Sequence, residues 1–421
     1  MTLDRIYITF EGNIALENLF IEDLNTDTLL YSHSLTAYVP IWPVITDGKI
    51  TVKDLRWEGV RANIYRNEGQ DFNYQFLIDA FSPQDTLEVA VKDTTSSSTD
   101  ISIFKVLLSD IYATYHDREG GLSAYVNLGE LLIDANETDL DSMKFEVSSA
   151  LLKNTRFSYE QSKPFPKSPE STGMPLPFLT LEDIEISNVA GVYESIPDGI
   201  EARVDIQDFK LKAPKADIQK KQIHIASVAL SDSEIEFITF SDSLQVSGLP
   251  TKIPDSVQTA FSWPDWEVAL ERISLVNNKV VYQVEDEVPV SGQFNPEVLF
   301  LDQLSLEGDD IYLKDQSTRG HLTRLRFHEA SGINVDRFEL DWVIDDQNLQ
   351  ISEIDIEALG SEITGELSAK YTSLQAMIDQ PEHVVVNLNL PHIQVAIEKL
   401  YQFQPDLATN PYLQTLSEKP I

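Results

Sequence analysis

Apolar residues recur along the chain with one spacing, at positions 1, 3, 6 and 8 of a segment and often again at positions 13 and 15. Nine segments carry the pattern, and they begin at Ile14, Ile50, Ile101, Phe145, Leu179, Ile223, Val268, Leu299 and Leu349. Steps of two place side chains on one face of a β-strand, whereas the step of three between positions 3 and 6 would turn the second half over. A β-bulge adds the one residue that restores the facing and bends the strand. Each segment therefore predicts a bulged, bent strand, then a tight turn and a returning strand.

The intervals between segments are unequal, from 31 residues (Val268 to Leu299) to 51 residues (Ile50 to Ile101). A leucine-rich repeat has a similar local signature, but it needs a period of roughly 20–29 residues and a regular Asn or Cys position. Neither is present, and unequal intervals favour antiparallel meanders with loops of variable length. Residues 1–390 are therefore predicted to form one mostly β, repetitive domain.

Breaks in the pattern locate loops and helices. The polar stretch 93–100 and the Pro-rich stretch 163–177 are predicted loops and mark sub-boundaries of the β domain. A short helix is predicted at 71–81, after the second segment, with Asp71 as its cap. A helical, truncated segment is predicted at 391–421, where Asn410 and Pro411 have the form of a helix start.

A long sheet with one apolar face must cover that face, by closing into a barrel, packing on a second sheet or curling into a trough. Nine irregular copies are too many for a small barrel. We therefore predict a long antiparallel, bent and twisted sheet that forms an open apolar groove (β-taco-like). Positions 6 and 8 follow the bulge, and their residues are predicted to line the groove: Leu19, Ile21, Leu55, Trp57, Val106, Leu108, Ile184, Ile186, Val228, Leu230, Ile273, Leu275, Leu304, Leu306, Ile354 and Ile356.

Charge and composition narrow the function. The 421 residues carry 69 acidic and 31 basic side chains, a net charge of −38, which argues against binding nucleic acid or anionic lipid through a positive field. The absence of cysteine excludes disulfides and thiolate sites. No phosphate-binding glycine loop and no hydrolase or zinc-protease motif occurs. We predict no catalytic residue, no metal site and no cofactor.

Two local clusters of charged or titratable residues allow a functional interpretation and a purely structural one. Arg324 and Arg326, with Arg319 close by, form a basic island that would suit an anion, although counter-charge for the acidic surroundings is the favoured interpretation. His321 and His328 are seven residues apart, which predicts opposite strand faces and argues against a shared metal.

Residues 16–39 ("LENLFIEDLNTDTLLYSHSLTAYV") and 49–81, with "GVRANIYR" and "FNYQFLIDAF", resemble the N-terminal part of TamB-like translocation and assembly module proteins of the Bacteroidetes type, in the AsmA-like group; "NPYLQTLSEKPI" near the end is similar again. The resemblance implies an inner-membrane-anchored protein whose β-groove crosses the periplasm and serves outer-membrane biogenesis and lipid transport. It implies phospholipid acyl chains as cargo and an outer-membrane BamA-type barrel as partner. This chain lacks the anchor helix and the C-terminal domain that meets the barrel, so it would be the N-terminal periplasmic part.

Three functions remain open from the sequence. The first is a groove that conducts acyl chains without catalysis. The second is a scaffold that carries no lipid and assists outer-membrane protein assembly or secretion. The third is a carbohydrate-active β enzyme, which would need two carboxyl groups at a fixed separation across a cleft.

Overall fold

The computed structural model of the protein describes residues 1–9, 13–39, 50–81, 101–139, 144–165, 178–217, 220–240 and 261–403. The chain divides into two compact units, Met1–Asp198 (unit 1) and Gly199–Ile421 (unit 2). Both are built almost entirely of β-strands, so the predicted mostly β fold is confirmed. The predicted sub-boundary at 93–100 lies outside the described residues, as do 166–177.

The described residues of unit 1 form ten strands. Eight of them pair in the order β1–β2–β3–β5–β7–β8–β9–β10, and the short β4 pairs with β6. Their bounds are β1 Thr2–Ile8, β2 Asn13–Glu22, β3 Thr28–Tyr38, β4 Ile50–Val52, β5 Asp54–Arg66, β6 Ile101–Ile103, β7 Lys105–Asp117, β8 Leu122–Asp139, β9 Lys144–Gln161 and β10 Phe178–Ser195.

In unit 2, the part of the chain that the structure describes forms twelve strands. β11 pairs with β14 and β15, these two and β13 pair with β16, and from β16 to β22 each strand pairs with the next. Their bounds are β11 Ile200–Lys212, β12 Lys215–Asp217, β13 Gln222–Ile225, β14 Ser227–Ser231, β15 Glu234–Thr239, β16 Glu267–Val284, β17 Val298–Lys314, β18 Ser317–Glu329, β19 Asn334–Asp345, β20 Asn348–Ala358, β21 Ser361–Lys370 and β22 Val385–Gln394.

The described helices are few and short: α1 (Gln75–Phe81), α2 (Leu374–Asp379), a 3-10 turn (Pro381–His383) and α3 (Ile397–Phe403). The helix predicted after the second segment is present, but it starts at Gln75 instead of Asp71. Strand β22 runs on to Gln394, four residues into the stretch predicted to be helical, because it still pairs with β21 there. Helix α3 lies within the helical segment predicted at 391–421. Residues 404–421, which include the helix start predicted at Asn410 and Pro411, lie outside the described residues.

The sheet is mixed, which corrects the prediction of antiparallel meanders. Strands β5 and β7 are parallel, as are β9 and β10, and β13–β15 run parallel to β16. Parallel neighbours need a crossover connection, and these three joints are bridged by residues 67–104, 162–177 and 240–266. The predicted loops at 93–100 and 163–177 fall within two of these connections, in stretches that lie mostly outside the described residues.

The parallel joints also explain why the pattern repeats. In each joint, every position of one segment lies directly opposite the same position of the next: Leu55 opposite Val106, Ala150 opposite Ile184, and Val228 opposite Ile273. Parallel strands in register need the same residue types at the same positions. Six of the nine segments thus form three in-register pairs.

The predicted bulge between positions 3 and 6 is present. Position 4 interrupts the strand at Lys53, Phe104 and Ala226, and at Ser148 the register between β8 and β9 shifts. This irregularity supplies the extra residue that the step of three requires.

The predicted tight turn after position 8 is wrong. The polar break at position 10 is a single residue in the left-handed conformation, and the chain then continues in the same direction: Gly59, Asp110, Asn154, Asn188, Asp232 and Asn277 have φ between 51° and 65°. Gly, Asn and Asp are the residues that tolerate this conformation best. A second bend, and no returning strand, therefore follows position 8.

Well-buried side chains of unit 1 lie one residue past this second bend, at position 11, and opposite that position on neighbouring strands. Val60 is 2 % exposed, Leu128 7 % and Val189 4 %, and Ser32 and Thr155 are buried in the same part of unit 1. Ser32, Val60, Ile111 and Leu128 lie opposite one another on β3, β5, β7 and β8. We call these four residues, together with the opposed pair Thr155 and Val189 on β9 and β10, the crease of unit 1, since they lie beside the bend.

Candidate functional site: the apolar face of the sheet

Two rows of apolar side chains run across unit 1 between the two bends. Residues directly opposite one another on neighbouring strands project from the same face of a sheet, so the register defines each row. Row 6 comprises Leu55, Val106, Ile133, Ala150 and Ile184, and row 8 comprises Trp57, Leu108, Leu131, Leu152 and Ile186.

Both rows continue through β3 and β2 to β1. Ala37, Ile14 and Ile8 extend row 6, and Leu35, Leu16 and Ile6 extend row 8. Each row therefore crosses eight strands without a polar side chain. At about 4.8 Å per strand, this is a continuous apolar band roughly 34 Å wide.

Unit 2 has rows with the same positions. Its row 6 comprises Leu211, Val228, Ile273, Gly308, Leu322 and Leu340, and its row 8 comprises Phe209, Leu230, Leu275, Leu306 and Leu325. Gly308 lies between Ile273 and Leu322 in row 6. A Cβ atom there would lie 2.9 Å from the His321 carbonyl oxygen. This close approach explains why glycine interrupts a row otherwise made of branched apolar side chains.

Eleven of the sixteen predicted lining residues lie in these rows. Ile354 and Ile356 lie further along unit 2, where Ile356 is opposite Phe338 and Ile363. The other three are displaced: Leu19 is opposite Ser32 in the crease, Ile21 is opposite Leu30, and Leu304 is opposite Asn278. The reason is that their segments have the left-handed residue at position 5, at Asn18 and Gln303, so Leu19 and Leu304 lie beside that bend and Ile21 lies beyond it.

Burial separates the rows from the crease. The row 6 and row 8 side chains from β5 to β10 are all half-buried, whereas Ser32, Val60, Leu128, Thr155 and Val189 of the crease are buried. The Trp57 indole Nε1 donates a 2.8 Å hydrogen bond to Ser32 Oγ, so row 8 and the crease share one face. The crease was missed from the sequence because it mixes Ser, Val, Ile, Leu and Thr and has no periodic apolar signal.

In unit 2 the crease is polar. Asn278 and Ser233 are 2 % exposed, and each finds hydrogen-bond partners. The Ser233 backbone N–H donates to Asn278 Oδ1 at 3.0 Å, and Asn278 Nδ2 donates to the Leu230 carbonyl at 3.0 Å. Buried polar groups that are satisfied in this way fix the position of the bend.

The opposite face of unit 1 carries charge. Lys105 Nζ lies 3.2 Å from a carboxylate oxygen of Asp134, and a guanidinium nitrogen of Arg61 lies 2.9 Å from a carboxylate oxygen of Asp110. One apolar trio, Leu107, Leu132 and Leu151, interrupts this polar face, and Arg56 and Glu185 bound it. The sheet thus has one continuous apolar face and one largely polar face.

An aromatic row and a polar row end the apolar face. Tyr115, Tyr159 and Tyr193 occupy position 15; the Tyr159 and Tyr193 rings stack at 5.3 Å, and burial raises the pKa of Tyr115 and of Tyr159. Phe72, from the segment before α1, lies 5.9 Å from the Tyr115 ring. The segment that leads into α1 therefore contacts the end of the apolar face.

Beyond the tyrosines, position 17 holds an ion pair. Arg66 donates to both carboxylate oxygens of Asp117, at 2.7 and 2.6 Å, and its guanidinium lies 4.6 Å from the centre of the Phe72 ring. Asp117 is 4 % exposed. The hydrogen bonds from Arg66 hold the pKa of the Asp117 carboxyl below its usual value, against the opposing effect of burial.

Arginines of the basic island contact neighbouring acidic and aromatic side chains. Arg324 lies 3.0 Å from Glu307, and Arg319 lies over the Tyr312 ring at 4.6 Å, which agrees with the counter-charge interpretation. His321 lies between the carboxylates of Asp309 and Asp341, at 3.1 and 3.3 Å.

The prediction that His321 and His328 lie on opposite faces is wrong. The register of β18 skips Thr323, and this bulge brings both histidines to the polar face. About seven residues of extended strand still separate them. In the described residues, no group of three or more His, Asp or Glu side chains is placed to hold a metal ion.

No protein-family model matches the chain, and no curated protein sequence matches it. Within the described ranges, no helix is both long and apolar enough to cross a membrane. The resemblance to TamB-like proteins stays a prediction.

Proposed function

We propose that the protein conducts phospholipid acyl chains along the apolar face of its sheet, without catalysis. The observation that carries the proposal is the pair of rows 6 and 8, which cross eight strands of unit 1 as apolar side chains. They are half-buried from β3 to β10 and exposed at Ile6, Ile8 and Ile14. Side chains of a closed core are buried, as Val60, Leu128 and Val189 of the crease are. A half-buried, continuous apolar band leaves surface for an apolar ligand.

The energetics favour movement over tight storage. Full burial of a sixteen-carbon chain contributes roughly 13 kcal/mol at about 0.8 kcal/mol per CH₂, which would hold a lipid too tightly for transport. A half-open face buries only part of each chain. Neighbouring strands repeat the same apolar positions about every 4.8 Å, so a chain that slides along a row exchanges equivalent contacts.

Leu108 and Leu107 provide a matched test of this proposal. They are adjacent in β7 and both half-buried, but Leu108 belongs to row 8 and Leu107 to the opposite face. A photo-crosslinking amino acid at Leu108 should capture phospholipid from vesicles, whereas the same group at Leu107 should not. Equal capture at both sites, or capture at neither, contradicts the proposal.

The lipid population provides a second readout. Native mass spectrometry of detergent-free protein should show co-purified phospholipids with several headgroups, since the rows contact only acyl chains. One stoichiometric lipid with a single headgroup would argue for a closed specific pocket instead.

Cellular context rests on the sequence resemblance alone. From it we propose a periplasmic location, an inner-membrane anchor in the full-length protein, and a BamA-type outer-membrane barrel as a partner reached through other parts of that protein. A non-lipid scaffold that assists outer-membrane protein assembly is the second candidate. Absence of lipid with retained protein binding would select it.

A further inference from the structure

The apolar face of unit 1 has two different ends along the direction of its strands. Beyond row 6, apolar side chains continue to position 3, at Val52, Ile103, Val147 and Leu181. At the other end, position 17 is polar, and its Asp117, Gln161 and Ser195 are at most 4 % exposed. A ligand with one apolar and one polar end therefore meets matching surroundings in one orientation only.

The boundary between the two environments is position 15. We call Tyr115, Tyr159 and Tyr193 at this position the tyrosine row. Tyr159 is half-buried and Tyr193 is 38 % exposed. Among the described residues, none of the three phenol hydroxyls has a hydrogen-bond partner. Tyrosine has an apolar ring and a polar tip, which suits a place where an apolar surface meets a polar one.

Aromatic rings recur at position 15 beyond unit 1. In unit 2, Phe237 and Tyr282 occupy it on neighbouring parallel strands, and their rings stack at 6.4 Å. The five consecutive segments that begin at Ile101, Phe145, Leu179, Ile223 and Val268 thus all have an aromatic ring at this position. The recurrence in two separate units argues that the aromatic boundary belongs to the working face.

We propose that phospholipids lie across the rows of unit 1, with the polar end at the tyrosine row and the acyl chains towards row 8. This inference rests on the acyl-chain function proposed above and adds the orientation of the lipid. The phenol hydroxyls donate to ester and phosphate oxygens, which all phospholipids share, so no headgroup is selected. The reverse orientation would place a charged phosphate against the apolar side chains of position 3, which is unfavourable.

The length of the face suits this orientation. Rows 15 and 6 are nine residues apart, so they are separated by at most about 30 Å at about 3.3 Å per residue. The hydrocarbon core of a bilayer, which holds two chains end to end, is about 30 Å thick, so one chain needs about 15 Å. A chain that starts at the tyrosine row therefore ends between the crease and row 8. Movement to the next strand brings the polar end to a neighbouring phenol, as between Tyr159 and Tyr193, whose rings are 5.3 Å apart.

Two photoreactive phosphatidylethanolamines test the orientation in the unmodified protein. One carries a diazirine beside the ester group, and the other carries it at the methyl end of the acyl chain. After illumination with vesicles of either lipid, mass spectrometry locates the modified residues. The ester label should attach at Phe157, Tyr159 and Tyr193, and the methyl-end label should attach at Leu152 and Ile186 of row 8.

The outcomes separate this inference from the function on which it rests. If neither label attaches to the apolar face, the acyl-chain proposal fails and the orientation falls with it. If both labels attach with the same distribution, or the ester label prefers row 8, the face binds lipid but the proposed orientation is wrong.

Removal of the hydroxyls gives an independent measure. The double variant Tyr159→Phe, Tyr193→Phe keeps both rings, and its control is Tyr112→Phe, Tyr125→Phe, whose tyrosines lie opposite Arg61 and Thr114 on the polar face. Loss of one hydrogen bond weakens binding by about two- to ten-fold. The tyrosine-row variant should retain that much less phosphatidylethanolamine after incubation with vesicles, the control should match the unmodified chain, and a thermal melt checks that both are folded. Equal retention by the two double variants would overturn the proposal.

Discussion

A charge placed on the apolar face distinguishes an open surface from a packed core. Leu108, in row 8, and Leu128, in the crease, lie in the same unit and differ chiefly in burial: Leu108 is half-buried and Leu128 is 7 % exposed. Each is changed to Asp. If the face is open at row 8, the new carboxylate at position 108 stays in contact with water, whereas the one at position 128 does not.

The expected magnitudes are well separated. Full burial of a Leu side chain is worth about 1.5–3 kcal/mol, so Leu108→Asp loses roughly 1 kcal/mol of it and pays little desolvation. Leu128→Asp buries an unpaired charge, which costs about 4–5 kcal/mol or more. Unit 1 spans 198 residues. For a domain of that size about 1 kcal/mol shifts Tm by roughly 2–4 °C, so the predicted falls are about 2–4 °C and about 10–20 °C.

The assay pairs a thermal melt with quantification of bound lipid. Leu108→Asp should keep the fold and lose most of the lipid captured at neighbouring row positions such as Val106. The same pairing applies to Ile186→Asp and Leu306→Asp. If Leu108→Asp lowers Tm as far as Leu128→Asp does, row 8 is part of a packed core and the proposed path for acyl chains is wrong.

Three further predictions test the fold around the site. Asn188 has φ 53°, so Asn188→Gly should be nearly neutral in a thermal melt while Asn188→Val should cost about 1–2 kcal/mol; equal effects would contradict the left-handed bend. A Cβ atom at Gly320 would lie 2.3 Å from the Trp342 ring, so Gly320→Ala should cost about 1–3 kcal/mol, and a neutral result in denaturant titration would refute this packing. Arg66 lowers the pKa of Asp117 on folding, so the ionised carboxyl stabilises the protein above the usual pKa near 3.8, and this stabilisation is lost as pH falls through the lower folded-state pKa. Asp117→Asn should therefore lower Tm at pH 7 and flatten its decline below pH 4; an unchanged decline would mean that other carboxyls dominate.

The strands and their first bulge were predictable because apolar residues at every second position identify a strand with one apolar face. A step of three in such a pattern keeps the residues on that face only if one extra residue is inserted. The structure has this extra residue at Ser148 and at the equivalent positions of other segments. The second bend was also marked in the sequence, by Gly59, Asp110, Asn154 and Asn188 at one position. The same residue types favour turns, so local sequence alone did not distinguish a turn from a left-handed residue inside a strand.

The direction of neighbouring strands was harder to predict from the sequence. An apolar face forms equally well from parallel and from antiparallel strands. The two arrangements differ in which positions of neighbouring segments lie opposite each other. Leu55 lies opposite Val106 because both occupy position 6, and only the comparison of whole segments with the loops between them reveals that. The crease could not be predicted, since Ser32 and Leu128 share it and their burial comes from the bend itself.

The in-register parallel joints give the fold a property that the acyl-chain proposal needs. A bend in one strand alone would break its ladder with the neighbours. Here the bends fall in the same rows: Asn188 Nδ2 donates to Asn154 Oδ1 at 2.8 Å across one joint, and Asn277 Nδ2 donates to Asp232 Oδ1 at 2.6 Å across another. Neighbouring strands bend together, so rows 6 and 8 stay aligned from strand to strand.

An apolar face that remains half-open carries a risk of self-association, since large exposed apolar patches attract one another. The charge distribution addresses it, because the acidic excess lies on a chain whose opposite face is largely polar, and a net charge of −38 makes two copies repel at long range. Repulsion of this kind is screened within about 10 Å at 0.1 M salt. It therefore keeps two copies apart at a distance, whereas at contact the partial burial of rows 6 and 8 limits the apolar area that two faces can share.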